Sequence, residues 1–165
     1  MSNVLIALGG NLGDVRASFD TACQMLQHNC HIITKSKLYQ TPALLAKGAA
    51  SQSNYLNAII HVVSTLPPAD LLTELHRIEA AHGRERKERW GARTLDLDLI
   101  DYEGFTSNDS ALMLPHPAMA QRLFVLQPLH DVIPNWIHPV TNLNVQGMIC
   151  LLQQKGEVLV EGKLW

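Results

Sequence analysis

Four strand-like segments and two helical ones alternate along residues 4–102 in the order β-α-β-β-α-β, which predicts an α+β fold of the ferredoxin-like type. In that arrangement an antiparallel sheet carries both helices on one face, and here C-terminal helices and a tail follow it. Two observations carry the prediction. Short apolar runs and two-residue alternation over residues 4–8, 31–39, 55–64 and 94–102 have the period of strands. Apolar residues spaced by three and four after the first and third of these have the period of helices. A chain of 165 residues is long enough for one domain, residues 1–165, with its own core.

The first strand, residues 4–8, is too short for a membrane span or a signal-peptide core, and no basic segment precedes it. It runs into Gly9-Gly10-Asn11-Leu12-Gly13-Asp14. Glycines between a strand and a helix suggest a phosphate loop, but neither G-x-x-x-x-G-K-[ST] nor G-x-G-x-x-G is present, so a tight turn is expected. Asp14 caps the helix that follows, whose Phe19, Ala22, Cys23 and Leu26 form a core-facing stripe. Residues 31–39, rich in β-branched side chains, form the second strand. Residues 43–54 are small, polar and glycine-containing, the composition of a loop or a linker.

In the third strand Tyr55 and Asn57 share a face, so a ring and an amide can address one planar ligand; the alternative is a core tyrosine beside a strand-end asparagine. Pro67 and Pro68 open the second helix, with Leu71, Leu72, Leu75 and Ile78 as its apolar stripe. Glu79, near its end, has Arg77 or a nearby loop arginine as its expected partner. Residues 107–110 read as a turn, His116 and Arg122 flank a short helical turn, and residues 142–154 form a capped amphipathic helix using Val145, Met148, Ile149 and Leu152. Residues 158–165 complete the packing as a strand or extended tail.

The chemistry concentrates between Arg84 and Asp98. Arg84, Arg86, Arg89 and Arg93 surround Trp90 and precede two aspartates at alternate positions. In the strand of residues 94–102, Leu95, Leu97 and Leu99 face a core while Asp96 and Asp98 share the other face, with Cα atoms roughly 7 Å apart. Two carboxylates so spaced can share hard cations that bridge phosphate oxygens. Guanidinium groups grip phosphates bidentately. The alternatives are the wet face of a sheet and a solvated charge run. With 13 basic and 15 acidic side chains the net charge is −2, which excludes a nucleic-acid binder driven by bulk charge, so any phosphate site is local. Cys23, Cys30 and Cys150 lack metal-ligand spacing and are expected to be reduced, mostly buried thiols of a cytoplasmic protein.

Arg89-Trp90-Gly91-Ala92-Arg93-Thr94-Leu95-Asp96-Leu97-Asp98 resembles the signature of the 6-hydroxymethyl-7,8-dihydropterin pyrophosphokinases, a folate-pathway family. Tyr39-Gln40-Thr41-Pro42, Tyr55-Leu56-Asn57-Ala58 and the segment from Pro115-His116-Pro117 through Arg122, Phe124 and Pro128 to Pro134 match it in the expected order. The resemblance implies transfer of pyrophosphate from ATP to the pterin's hydroxymethyl group, with Asp96 and Asp98 holding two Mg²⁺ ions. It implies catalytic roles for Arg84, Arg93, Asp96 and Asp98. It places ATP against Glu79, Arg84, Arg86, Trp90, Arg93, Leu99, His116 and Arg122. The pterin falls to Gly9, Thr41, Pro42, Tyr55, Asn57, Trp90, Asp96 and Phe124. It further implies a monomer with no nucleic-acid or membrane partner. Gly10 stands where the family commonly has serine and Ala92 where it commonly has proline, and both are expected to be tolerated.

Two other classes fit parts of the pattern. An RNA-binding ferredoxin-like module would use the arginines on a backbone, but the chain lacks the aromatic platform on which such modules stack bases. A non-catalytic pterin- or nucleotide-binding module would keep the pocket without the intact Asp96, Asp98 and Arg93 set.

Overall fold

The computed structural model describes residues 1–43, 53–83, 93–158 and 162–165. Its central strand is β1 (Ser2–Gly10), followed by α1 (Val15–Leu26), β2 (Cys30–Lys35), β3 (Tyr39–Thr41), β4 (Tyr55–Ser64), α2 (Pro68–Ala81) and β5 (Asp96–Tyr102). A hairpin, β6 (Ser107–Asp109) and β7 (Leu112–Leu114), leads to the 3-10 turn Met119–Gln121, then α3 (Leu123–Val132) and α4 (Val145–Gln154). The main sheet has the order β2-β4-β1-β5, with β3 also on β4, and its pairings are antiparallel. No helix among the described residues is long and apolar enough to cross a membrane.

Alternation decides which side chains each face receives. Val4, Ile6 and Leu8 of β1, Ile60 and Val62 of β4, and Leu97 and Leu99 of β5 join Phe19 and Leu26 of α1 and Leu71, Leu75 and Ile78 of α2 in one core. Leu5, Ile59 and Ile100 point the other way, into a second core with Leu126 and Leu129 of α3 and Val145 and Met148 of α4. Helices thus cover both faces of the sheet. Asp14 accepts the Ala17 N–H at 3.0 Å, the cap expected for α1, and Asn144 accepts the Gly147 N–H at 2.7 Å. α4 thus begins at Val145, three residues later than the helix expected from residue 142, because Asn142 takes a positive φ of 57°.

Several expectations need correction. The strand expected over 31–39 is two strands. Ser36 Oγ accepts the Ile59 N–H at 2.9 Å and donates to the Lys37 carbonyl at 2.7 Å, which breaks the ladder, and Leu38 pairs instead with Lys163. The strand expected from residue 94 begins at Asp96. The turn expected at 107–110 is mostly the first strand of a hairpin. Arg77 pairs with Glu74 at 2.7 Å; the other partner expected for Glu79, a loop arginine, falls on residues outside those described. Cys23 and Cys30 are buried free thiols, and burial pushes Cys23 up to about 11, but Cys150 is exposed.

Strict alternation would place Asp101 with the leucines. A β-bulge opposite Leu5 and Ile6 instead lets it share the side of Ile100, where it is 5% exposed and Oδ1 is buried with no hydrogen-bond partner among the described residues. Burial raises the Asp101 pKa, against the opposing pull of the Gly104 N–H, Trp136 and His138. A carboxyl raised above its unfolded value of about 3.9 favours the folded state below that value, and this advantage is lost as pH rises through the folded pKa. Asp101→Asn is therefore expected to raise the melting temperature at pH 7 and to flatten its fall between pH 4 and pH 7. Parallel melting curves for the two proteins across that range would refute the assignment.

Candidate functional site

The site is built on one row across three strands. Gly9 of β1 pairs with Asn57 of β4 on one side and with Asp96 of β5 on the other. Two inter-strand steps separate the amide from the carboxylate by roughly 10 Å, with only hydrogen between them at Gly9. A Cβ at Gly9 would lie 3.8 Å from Asn57 Oδ1 and 3.8 Å from the Asp96 Cβ, so the fold has room there that the sequence leaves open. Ala7, in the next row, pairs with Asp98.

Asn57 is 7% exposed and firmly oriented. Its Nδ2 donates to the Tyr39 carbonyl at 3.3 Å and to the Thr41 hydroxyl at 2.9 Å, which uses both amide hydrogens. The acceptor Oδ1 is left to face Gly9. It is therefore the acceptor end of the amide that Asn57 presents to a ligand. Tyr55, two residues earlier on the same face, is half-buried; burial raises its pKa, with Arg93 lowering and Asp96 raising it, so its ring lies within their field.

Arg93 meets Asp96 at 2.5 Å, both side chains half-buried. Its backbone is clasped by the glycine turn: the Arg93 N–H donates to Asn11 Oδ1 at 2.8 Å, and the Arg93 carbonyl accepts from the N–H groups of Asn11 at 2.8 Å and Leu12 at 3.1 Å. Asn11 Nδ2 also reaches the Ser53 carbonyl at 3.2 Å. Asn11 is the residue that ties the glycine turn to Arg93, and the sequence reading passed over it. An asparagine in a glycine turn is the only local signal, because its partners lie 82 and 42 residues away.

Beyond Asp98, the His116 N–H donates to the Ile100 carbonyl at 2.9 Å, anchoring the histidine beside β5. Burial lowers the His116 pKa; Asp98 and Asp96 oppose that and Arg122 adds to it, which places all four groups in one neighbourhood. His116 Nδ1 accepts the Ala118 N–H at 3.3 Å, so the neutral ring carries its proton on Nε2 and can donate from there. The Arg122 guanidinium lies 5.6 Å from the Phe124 ring centroid, a cation–π distance.

The structure thus brings together Gly9, Thr41, Tyr55, Asn57, Arg93, Asp96, Asp98, His116 and Arg122, with Phe124 beside Arg122. Pro42 is exposed just after β3. Leu99 is 5% exposed in the first core, on the opposite face from Asp96 and Asp98, so any nucleotide contact there falls to its backbone. Glu79 is 1% exposed, and its Oε1 accepts the Leu97 N–H at 2.7 Å, between the two aspartates. Arg84, Arg86 and Trp90 lie outside the described residues, as do Arg89, Ala92 and most of the loop at 43–54.

Neighbouring glycines give opposite predictions. A Cβ at Gly10 would come within 2.7 Å of the Thr94 carbonyl oxygen, so the serine common in the resembled family has no room in this turn. Gly10→Ala is expected to cost about 2 kcal/mol of stability through overpacking. Gly9→Ala should melt near the wild-type temperature while weakening the ligand that occupies the row. Melting curves beside ligand affinities separate the two, and a stable Gly10→Ala protein would contradict the packing argument.

Among the described residues no three His, Cys, Asp or Glu side chains gather as a metal centre. Asp96 and Asp98 still suit Mg²⁺, which takes hard oxygen ligands, retains waters, and is commonly held by one or two carboxylates together with substrate phosphates.

Residues 5–134 match the model of the 7,8-dihydro-6-hydroxymethylpterin-pyrophosphokinase (HPPK) family. The chain is 36% identical over 139 residues to a 2-amino-4-hydroxy-6-hydroxymethyldihydropteridine pyrophosphokinase of Methylorubrum extorquens, covering 83% of this chain and 86% of that protein. It is 34% identical over 155 residues to the "Folic acid synthesis protein FOL1" of Dictyostelium discoideum, covering 94% of this chain but only 23% of that much longer protein. The Plasmodium falciparum HPPK-DHPS crystal structure superposes with a TM-score of 0.70 at 16% identity, over 94% of this chain and 44% of that one, which is a likeness of fold.

Proposed function

The chain belongs to the 7,8-dihydro-6-hydroxymethylpterin-pyrophosphokinase family, and we propose that it transfers the pyrophosphoryl group of ATP to the hydroxymethyl oxygen of 6-hydroxymethyl-7,8-dihydropterin, releasing AMP. The observation that carries this reading is the Asn57–Gly9–Asp96 row, a flat gap with a hydrogen-bond acceptor at one end and a carboxylate pair at the other. A planar ring lying over Gly9 can offer its N–H edge to Asn57 Oδ1 and extend its hydroxymethyl arm toward Asp96. Thr41 fixes Asn57 in that orientation, and Tyr55 and Phe124 supply aromatic surface, with Pro42 at the margin.

ATP then lies beyond Asp98, where His116 and Arg122 approach the carboxylates. Asp96 and Asp98 would hold the Mg²⁺ that accompanies ATP, two ions in our reading. When bound, these neutralise phosphate charge and lower the proton affinity of the attacking hydroxyl. Arg93 is aimed by Asn11 and by Asp96, so it meets developing phosphate charge without first having to be ordered. His116 donates from Nε2 as a neutral group and Arg122 as a fixed cation. Arg84, Arg86 and Trp90 are assigned, from the family motif alone, to phosphate contacts and pocket closure. Glu79 supports the strand beneath the nucleotide, and Leu99 borders it through its backbone. No covalent nucleophile is required, because in-line attack on the β-phosphorus by the pterin oxygen completes the transfer.

We also read the strand order β2-β4-β1-β5 as the ferredoxin-like arrangement, with β3 as an addition, and the chain as one domain acting as a cytoplasmic monomer. The deciding experiment measures AMP from ATP and Mg²⁺ with and without the pterin, beside a chelator control. Pterin-dependent, chelator-sensitive AMP is expected. ADP as product, or pterin binding with no nucleotide turnover, would overturn the proposal.

A further inference from the structure

Asn57 is useful to a ligand only if its acceptor end points outward, and nothing in its own strand enforces that. The orientation comes from β3, because the Tyr39 carbonyl and the Thr41 hydroxyl take both amide hydrogens. β3 is three residues long and the chain leaves the ladder at Ser36 just before it, so its position in turn needs another anchor. Asp131, in the last turn of α3, provides one. Its Oδ2 accepts the Tyr39 hydroxyl at 2.8 Å and the Lys37 N–H at 3.0 Å. Burial first, then the Asp131 hydrogen bond and charge, push the Tyr39 pKa upward, so the phenol remains a donor.

The C-terminal segment backs this joint. Leu38 and Lys163 exchange backbone hydrogen bonds at 2.7 and 2.9 Å, and a Cβ on Gly162 would come within 2.8 Å of the Tyr39 ring. Tyr39 is 5% exposed, with Gly162 packed close against its ring. The opposite end of α3 carries Arg122 and Phe124. One ten-residue helix, about 15 Å long, therefore joins the joint that orients Asn57 to the side chains proposed for phosphate and ring contact.

We infer that Asp131 is a positioning residue for the pterin side of the site, acting through Tyr39 on the orientation of Asn57. The inference rests on the proposed pterin contact at Asn57, and its test keeps the two apart. Steady-state AMP release is measured for Asp131→Asn, Tyr39→Phe, Asn57→Ala and the double variant Asp131→Asn/Asn57→Ala, at temperatures where melting curves show each protein folded. Asp131→Asn and Tyr39→Phe are expected to raise the pterin KM about tenfold, the scale of one misdirected hydrogen bond, while the ATP KM stays within about twofold. Asn57→Ala should raise the pterin KM by more, and adding Asp131→Asn to it should change nothing further. A purely structural role would raise both KM values together or add its effect to that of Asn57→Ala, and either result overturns the inference. If Asn57→Ala leaves the pterin KM unchanged, the pterin placement itself falls. If Asn57→Ala raises it and Asp131→Asn does not, the placement stands and the positioning role of Asp131 is wrong.

Discussion

Asp96→Ala and Asp98→Ala are each expected to lower AMP release by at least about a thousandfold while leaving the protein folded. The packing of β5 and of the residue before it rests on Leu95, Leu97 and Leu99, which are 0%, 2% and 5% exposed, whereas the two aspartates are only half-buried on the other face. Truncating them removes charge and oxygen ligands and opens no cavity in the leucine core. The two variants should nevertheless differ. Asp96→Ala also takes from Arg93 its 2.5 Å partner, so the guanidinium loses its aim along with the ligand. Asp98→Ala leaves that pair intact and removes the carboxylate beside His116. Raising Mg²⁺ should therefore recover part of the activity of an Asp98→Asn protein and less of an Asp96→Asn protein. The measurements are AMP release across a Mg²⁺ series and a melting curve for each variant. Activity near wild type in either alanine variant would show that the carboxylate pair is not the metal site.

What could be read from the sequence was what local spacing encodes. Leu95 to Asp98 alternate, and alternation alone separates a core face from a carboxylate face; Phe19, Ala22, Cys23 and Leu26 repeat with a helical period and are buried as that period requires. Contacts between distant segments had no such trace. Asn11 meets Arg93 across 82 residues and Tyr39 meets Asp131 across 92, and neither an asparagine in a glycine turn nor an aspartate near a helix end announces a particular partner. The split between β2 and β3 was hidden because Ser36 sits among strand-forming residues and breaks the ladder through its hydroxyl. The bulge that buries Asp101 was hidden because it depends on the register of β1. α3 carries Pro128 in its interior, a residue that ordinarily argues against a helix. The expected roles of Gly9, Asn57 and Asp96 came from separate motifs, and only the pairing of three strands puts them in one row.

Glu79→Ala is expected to cost both stability and activity, and Glu79→Gln to separate the two. The side chain is 1% exposed and its Oε1 accepts the Leu97 N–H at 2.7 Å. β5 pairs with β1 on one side only, so on its outer edge this amide needs an acceptor from elsewhere in the fold. Removing it leaves a buried N–H without that acceptor, a loss of about 1–3 kcal/mol. Because Leu97 lies between Asp96 and Asp98, the same loss loosens the backbone that sets the spacing of the two carboxylates. A displacement of about 1 Å there is enough to cost about a hundredfold in rate. Glutamine keeps a carbonyl oxygen for the Leu97 N–H but removes the charge. If Glu79 acts only as an acceptor for the strand, Glu79→Gln should retain most of the wild-type melting temperature and most of the kcat. If its charge also contributes to the site, Glu79→Gln should melt like wild type but turn over as slowly as Glu79→Ala. The backbone hydrogen bond predicts the first result. Hydrogen exchange at the Leu97 amide tests it directly: protection should be lost in the alanine variant and kept in the glutamine variant, and protection kept in both would remove Glu79 from any role in holding the aspartate strand.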